Sequence, residues 1–137
     1  MELPTVLPAL RYDDAQAALD FLCEASGAEQ HAVYRGDGGT IHHAELCFGN
    51  GIVMLGSARE GAPASGGGAI VYVVVPDRDP HPDPGPDAYA ARARAAGAEI
   101  TRPPYDADYG SRECSARDRE GNLSFAVDVL GRRGNES

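Results

Sequence analysis

The sequence predicts an α+β fold, with two tandem copies of one strand-helix-strand-strand-strand unit in a single domain. Three observations predict it. Ala25-Ser26-Gly27-Ala28-Glu29 returns as Ala95-Ala96-Gly97-Ala98-Glu99, about half a chain later. Each copy closes a helical pattern that one strand-length apolar run precedes and three more follow. A chain of 137 residues and 14.4 kDa suits one domain, and such a domain hides roughly two-thirds of its unfolded surface, enough for a core and a cleft.

The elements follow in order. Val6 to Tyr12 reads as the first strand. Asp13 and Asp14 offer an N-cap, Ala15, Ala18, Leu19, Leu22 and Cys23 form one helical face, and Gly27 supplies a left-handed stop. Strands at Gln30 to Arg35, Ile41 to Phe48 and Ile52 to Leu55 complete the unit. Gly36-Asp37-Gly38-Gly39 parts the first two, and a hairpin turn at Asn50-Gly51 parts the last two. In the second copy Ala69 to Val75 leads, Asp87 caps, Ala88 to Ala96 is helical and Gly97 ends the helix. A short strand near Ile100 and strands over Arg112 to Arg117 and Leu123 to Leu130 close it. The modules span 5–58 and 69–130, with a Gly-rich linker at 61–68 and a tail at 131–137, all in one domain of 1–137. Pro76 to Pro86 holds five of the ten prolines with Asp77, Asp79 and Asp83, the composition of a stiff, solvated surface loop.

Twelve basic against twenty-one acidic residues leave a net charge of −9, which sets the chain against nucleic acid and anionic membranes as partners. The same balance suits a cationic ligand or a plain solubilising surface. Met1 to Leu10 has no basic start and holds Pro4 and Pro8, so no signal peptide is expected. No apolar run approaches the ~20 residues of a membrane span. Cys23, Cys47 and Cys114 share no metal-type spacing and read as free thiols in a reducing cytoplasm. Gly61 to Gly68 lacks a Lys-Ser/Thr follower and leads into a strand, which excludes a phosphate loop. Ser115 and Ser124 have no His-Asp arrangement nearby in sequence, and His31 and His81 read as solvent-facing.

The duplicated unit resembles the vicinal oxygen chelate superfamily, which includes glyoxalase I, extradiol dioxygenases, and fosfomycin- and bleomycin-resistance proteins. Leu10-Arg11-Tyr12-Asp13-Asp14 with Ala18-Leu19-Asp20-Phe21-Leu22 is similar to its first strand and helix. His43-Ala44-Glu45-Leu46 through Gly49-Asn50-Gly51-Ile52-Val53-Met54-Leu55 resembles its hairpin, most of all in PhnB-like and glyoxalase-like members, and the chain as a whole is most similar to PhnB-like or bleomycin-resistance-type members that lack the metal ligands. Ala90-Arg92-Ala93 to Gly97-Ala98-Glu99 resembles its second helix. Tyr109-Gly110-Ser111-Arg112-Glu113 and Arg117-Asp118-Arg119-Glu120-Gly121-Asn122 resemble its closing turn, with Arg119 where proline is usual. The resemblance implies two βαβββ modules side by side, their eight strands curled into a cup-like mixed sheet, and a homodimer.

Metal-dependent relatives hold a divalent ion in that cup with donors from four strands. Carried over, those positions fall near Leu7, Met54, Ile70 (or Val71) and Phe125. Such ions need imidazole nitrogen or carboxylate oxygen, which these side chains and their neighbours lack. The expectation is therefore no bound metal and no cofactor, and a cup that is either an apolar pocket for a small organic molecule or plain core.

Two polar groups remain. With a two-residue turn at Asn50-Gly51, Cys47 lies opposite Met54, and His43, Glu45, Cys47 and Met54 share a face, which the resemblance places inside the cup. His43 and Glu45 are then a general acid/base pair, ligand contacts, or a cross-strand pair satisfying itself. Tyr105, Tyr109, Arg112 and Glu113 form the second group, where the aromatics stack on a flat or cationic ligand or the loop satisfies itself. The expected function is binding of a small organic molecule, a cationic one suiting the acidic chain, without transforming it, as the resemblance to bleomycin-resistance proteins, which sequester drugs, implies. The alternative is an enzyme of the superfamily (lyase, isomerase or dioxygenase), acting through His43 and Glu45 or a displaced metal at His43, Glu45 and Glu113.

Overall fold

The two halves fold alike, for reasons that begin locally. The computed structural model describes residues 3–75, 85–108 and 110–128. The first half runs β1 (Ala9–Tyr12), α1 (Ala15–Ser26), β2 (Glu29–Arg35), β3 (Ile41–Phe48) and β4 (Gly51–Ser57). The second runs β5 (Ile70–Val74), α2 (Gly85–Ala95), β6 (Glu99–Asp106), β7 (Arg112–Arg117) and β8 (Leu123–Val127). Asp14 caps α1 by accepting from the backbone N–H of Ala17 at 3.1 Å, and Gly27 ends it with φ +67°.

Each half makes one four-stranded mixed sheet, in the orders β1-β4-β3-β2 and β5-β8-β7-β6. In both, the first strand runs parallel to the last and the other pairs are antiparallel. The modules are therefore structural repeats as well as sequence repeats.

Several sequence boundaries move. The first strand begins at Ala9 rather than Val6: Pro4 and Pro8 have no N–H for a ladder, although the Pro8 carbonyl still accepts from Met54 N at 2.8 Å. The strand after α2 is not a short one near Ile100 but runs the length of β6 with Pro103 and Pro104 inside it, which an edge strand tolerates. Gly85 and Pro86 open α2, so Asp87 lies in its first turn rather than ahead of it. The rest of the Pro- and Asp-rich segment, 76–84, and the tail, 131–137, lie outside the described residues.

The β3–β4 turn is also corrected. Phe48 pairs with Gly51 and Cys47 with Ile52, so the turn is Gly49-Asn50, with Gly49 at φ +58°. Glu45, not Cys47, stands opposite Met54. The register differs from the expected one by two residues, and a slip of two preserves which face each side chain takes. The expected face-sharing of His43, Glu45, Cys47 and Met54 survives the correction.

Each sheet buries one face under its own helix. Leu19, Ile41, Ala44 and Leu46 pack with Leu10, Val53 and Leu55 under α1. Tyr89, Ala90 and Ala93 of α2 pack on Cys114, Ala116 and Ala126. Burial in this second core pushes the Cys114 thiol up to about 11. The helices also meet each other, with Phe21 touching both cores and Arg92 Nε donating to the Ala25 carbonyl at 3.0 Å.

Polar bonds at the turns tie the modules together. The Glu120 carboxylate accepts from Asp13 N and Asp14 N at 2.7 and 2.8 Å, so the second module supplies an anion to the N-terminus of α1. Asp118 accepts from Glu120 N, Asn122 N and the buried Tyr12 hydroxyl. Desolvation, then the Asp118 charge, raises the Tyr12 phenol above its ordinary value. The Gly-rich linker docks on the open edge of β1, where Ser65 N donates to Arg11 O and Arg11 N donates to Ser65 Oγ.

Candidate functional site

Strand alternation leaves the other face of each sheet free of its helix, and there the candidate residues collect. On the first sheet, Ala9 and Arg11 of β1, Ile52 and Met54 of β4, and His43, Glu45 and Cys47 of β3 share that face. The His43–Glu45 pair forms, with His43 Nε2 2.8 Å from Glu45 Oε2. Tyr34, opposite His43 on β2, lays its ring beside the imidazole with centroids 6.0 Å apart.

His31 was expected only to face solvent. It is exposed, yet a bulge between Gln30 and Ala32 adds one residue to β2 and brings His31 Nε2 to 3.8 Å from Glu45 Oε1. Glu45 thus lies between two imidazoles. Nothing in the sequence signals this, because the bulge comes from the pairing of two strands.

On the second sheet, Ile70, Tyr72 and Val74 of β5, Phe125 and Val127 of β8, Glu113 and Ser115 of β7 and Tyr105 of β6 lie on one face. Tyr72 and Phe125 stack with centroids 4.7 Å apart and planes 11° from parallel. Tyr105 donates to Glu113 Oε1 at 3.0 Å, and this bond, ahead of desolvation, holds the phenol above its ordinary value. The Arg102 guanidinium lies 3.6 Å over the Tyr105 ring. Glu113 is 5% exposed, and its Oε2 has no donor among the described residues. Tyr72 went unremarked in the sequence, though its run offered a signal: an edge strand apolar on both faces has a second face to cover.

The second polar group does not hold together as expected. Arg112 sits on the opposite side of β7 from Glu113 and is bound to Asp87 of α2 at 2.9 and 3.0 Å and to Asp106 at 3.1 Å. Those bonds, Asp87 first, raise its pKa further. It braces the second module instead of joining Tyr105 and Glu113, because adjacent strand residues face opposite ways. Tyr109 and His81 lie outside the described residues.

At the four places where the resemblance puts metal donors, Leu7 is half-buried just ahead of β1, Met54 is half-buried beside Glu45, Ile70 is exposed, and Phe125 stacks on Tyr72. This donor set does not fit a borderline divalent ion. His43 and Glu45 lie on one sheet and Glu113 on the other, and among the described residues no three His, Cys, Asp or Glu side chains are placed to hold a metal. A groove of about 770 Å³ runs between β1, the β3–β4 turn and β5, lined by Pro8, Ile52, Ile70 and Tyr72 among others. A second, of about 440 Å³, lies away from both free faces between α1 and the β7–β8 turn.

The repeat, the topology and the closing turn meet in one comparison: the family model "Glyoxalase/Bleomycin resistance protein/Dioxygenase superfamily" matches residues 5–124. The chain belongs to this superfamily. No curated protein matches it. Among solved structures, TioX from Micromonospora sp. ML1 is 31% identical, with TM-score 0.68, covering 93% of this chain and 99% of that one. The fosfomycin resistance protein FosX from Mesorhizobium loti shares the fold at 16% identity and TM-score 0.64, over 95% of this chain and 94% of its own. A glyoxalase/bleomycin resistance protein/dioxygenase family enzyme from Burkholderia phytofirmans PsJN does so at 18% identity and TM-score 0.68, over 90% and 97%. Among the described residues no helix is long and apolar enough to cross a membrane.

Proposed function

We propose that this superfamily member is a receptor that holds a small, largely apolar organic molecule without transforming it. One observation carries the reading: side chains without nitrogen or oxygen donors stand at the chelating positions, and one of them, Phe125, stacks on Tyr72 beside the Glu113 carboxylate. An aromatic platform with a few polar groups suits a flat organic ligand better than an ion. The net charge of −9 draws cations at long range, so drugs of the bleomycin type are the first ligands to try. Calorimetric titration with cationic glycopeptides and with neutral flat aromatics tests the proposal. Saturable heat at one ligand per site supports it, and no heat with any of them counts against it.

The receptor works as a homodimer in this reading. Ile70, Tyr72 and Val74 are 58%, 57% and 46% exposed in a row along β5, an apolar stripe that a second copy would roof over, enclosing the ligand on the Tyr72 platform in a cleft between the two chains. Light scattering at micromolar concentration should give twice the mass of 14.4 kDa. The formed His43–Glu45 pair favours a second reading, proton transfer on the free face of the first sheet. Turnover of a ligand that is lost in Glu45→Gln with the fold intact would select it.

A further inference from the structure

We infer that Arg11 is an anion-recognising residue on the free face of the first sheet, so that the ligand carries a carboxylate, sulfonate or similar group. The inference rests on the receptor reading and deepens it.

The φ of Gly56 is not positive, so the backbone does not require glycine there. What glycine supplies is room, since a Cβ at Gly56 would collide with Nη1 of Arg11 and come within 3.0 Å of the His42 carbonyl oxygen. Arg11 and Gly56 are register partners on parallel strands, and the arginine lies over the gap that the glycine leaves. The side chain is half-buried on the face that carries Met54, His43 and Glu45.

Among the described residues the guanidinium has no bonding partner, neither carboxylate nor carbonyl, in a chain with twenty-one acidic residues. Arg112 and Arg117, by contrast, are each held by carboxylates. A planar, permanently charged fork that is half-buried and unpaired among the described residues matches two oxygens of an incoming anion. Ala9 and Met54 alongside would take the apolar remainder. Long-range attraction of cations by the net charge and local recognition of one anionic group are separate effects, because a bidentate guanidinium contact acts only at hydrogen-bonding distance.

Two fluorescent probes test this: 8-anilino-1-naphthalenesulfonate, and N-phenyl-1-naphthylamine, its counterpart without the sulfonate. Arg11→Met should weaken the sulfonate probe at least tenfold and leave the neutral probe within twofold. Gly56→Ala, which displaces the guanidinium, should do the same, and Arg11→Lys should fall between. Circular dichroism confirms that each variant is folded, and Arg11→Met decides the matter should Gly56→Ala not fold. If the wild type binds both probes and Arg11→Met leaves both affinities unchanged, the inference is overturned and the receptor reading stands. If the wild type binds neither, the receptor reading fails and the inference falls with it.

Discussion

Asp118→Ala should cost about 3 kcal/mol of stability, and the cost follows from three hydrogen bonds. Its Oδ1 accepts from Glu120 N at 3.0 Å and Asn122 N at 2.9 Å, holding the β7–β8 turn, and at ~1 kcal/mol net each these account for about 2. Its Oδ2 accepts from Tyr12 Oη at 3.2 Å. Tyr12 is only 2% exposed, so without Asp118 its hydroxyl is left without that acceptor, a penalty of about 1–2 kcal/mol. Tyr12→Phe alone should cost about 1 kcal/mol, because the half-exposed carboxylate recruits water in place of the phenol. In the double variant no hydroxyl is left to orphan, so the total should be about 2.5 kcal/mol, below the sum of the single effects. Urea unfolding followed by circular dichroism at pH 7 measures all four species, and Asp118→Ala should melt about 10 °C lower. Additivity of the two substitutions to within ~0.5 kcal/mol would refute the reasoning, since it would mean that the phenol and the carboxylate do not sense each other.

Two more expectations follow from the same physics. The buried Cys114 thiol, pushed up to about 11, favours the neutral form in the fold, so its stabilisation is complete below the unfolded value near 9 and is lost as pH rises towards 11. Urea midpoints should fall by the equivalent of about 2–3 kcal/mol between pH 8 and 11, with Tyr12 adding loss above its ordinary value, and Cys114→Ala should flatten the first part of the slope. Gly27→Ala should cost about 1 kcal/mol from backbone strain alone: φ is +67° and an added Cβ meets nothing within 4 Å, so an unchanged melting temperature would disprove the cap assignment.

The comparison of sequence with structure turns on parity and distance. A turn at Asn50-Gly51 lies one residue later than the observed Gly49-Asn50 and shifts the register by two residues, yet it puts His43, Glu45 and Met54 on the same face, because side-chain direction repeats every two residues. Arg112 and Glu113 are neighbours in sequence, and the same alternation sends the two to opposite faces.

The amino-acid order by itself determined the duplication, the caps at Asp14 and Gly27, the strand-length runs and the absence of donor atoms at the chelating positions. Each of these is a property of a few neighbouring residues and of backbone dihedral preferences. Tertiary structure alone decided that Glu120 serves a helix in the other module, that a bulge turns His31 onto Glu45, that Tyr72 meets Phe125, and that Arg11 lies over Gly56. These contacts join residues on different strands or turns, and only the register and docking of whole elements brings such residues together.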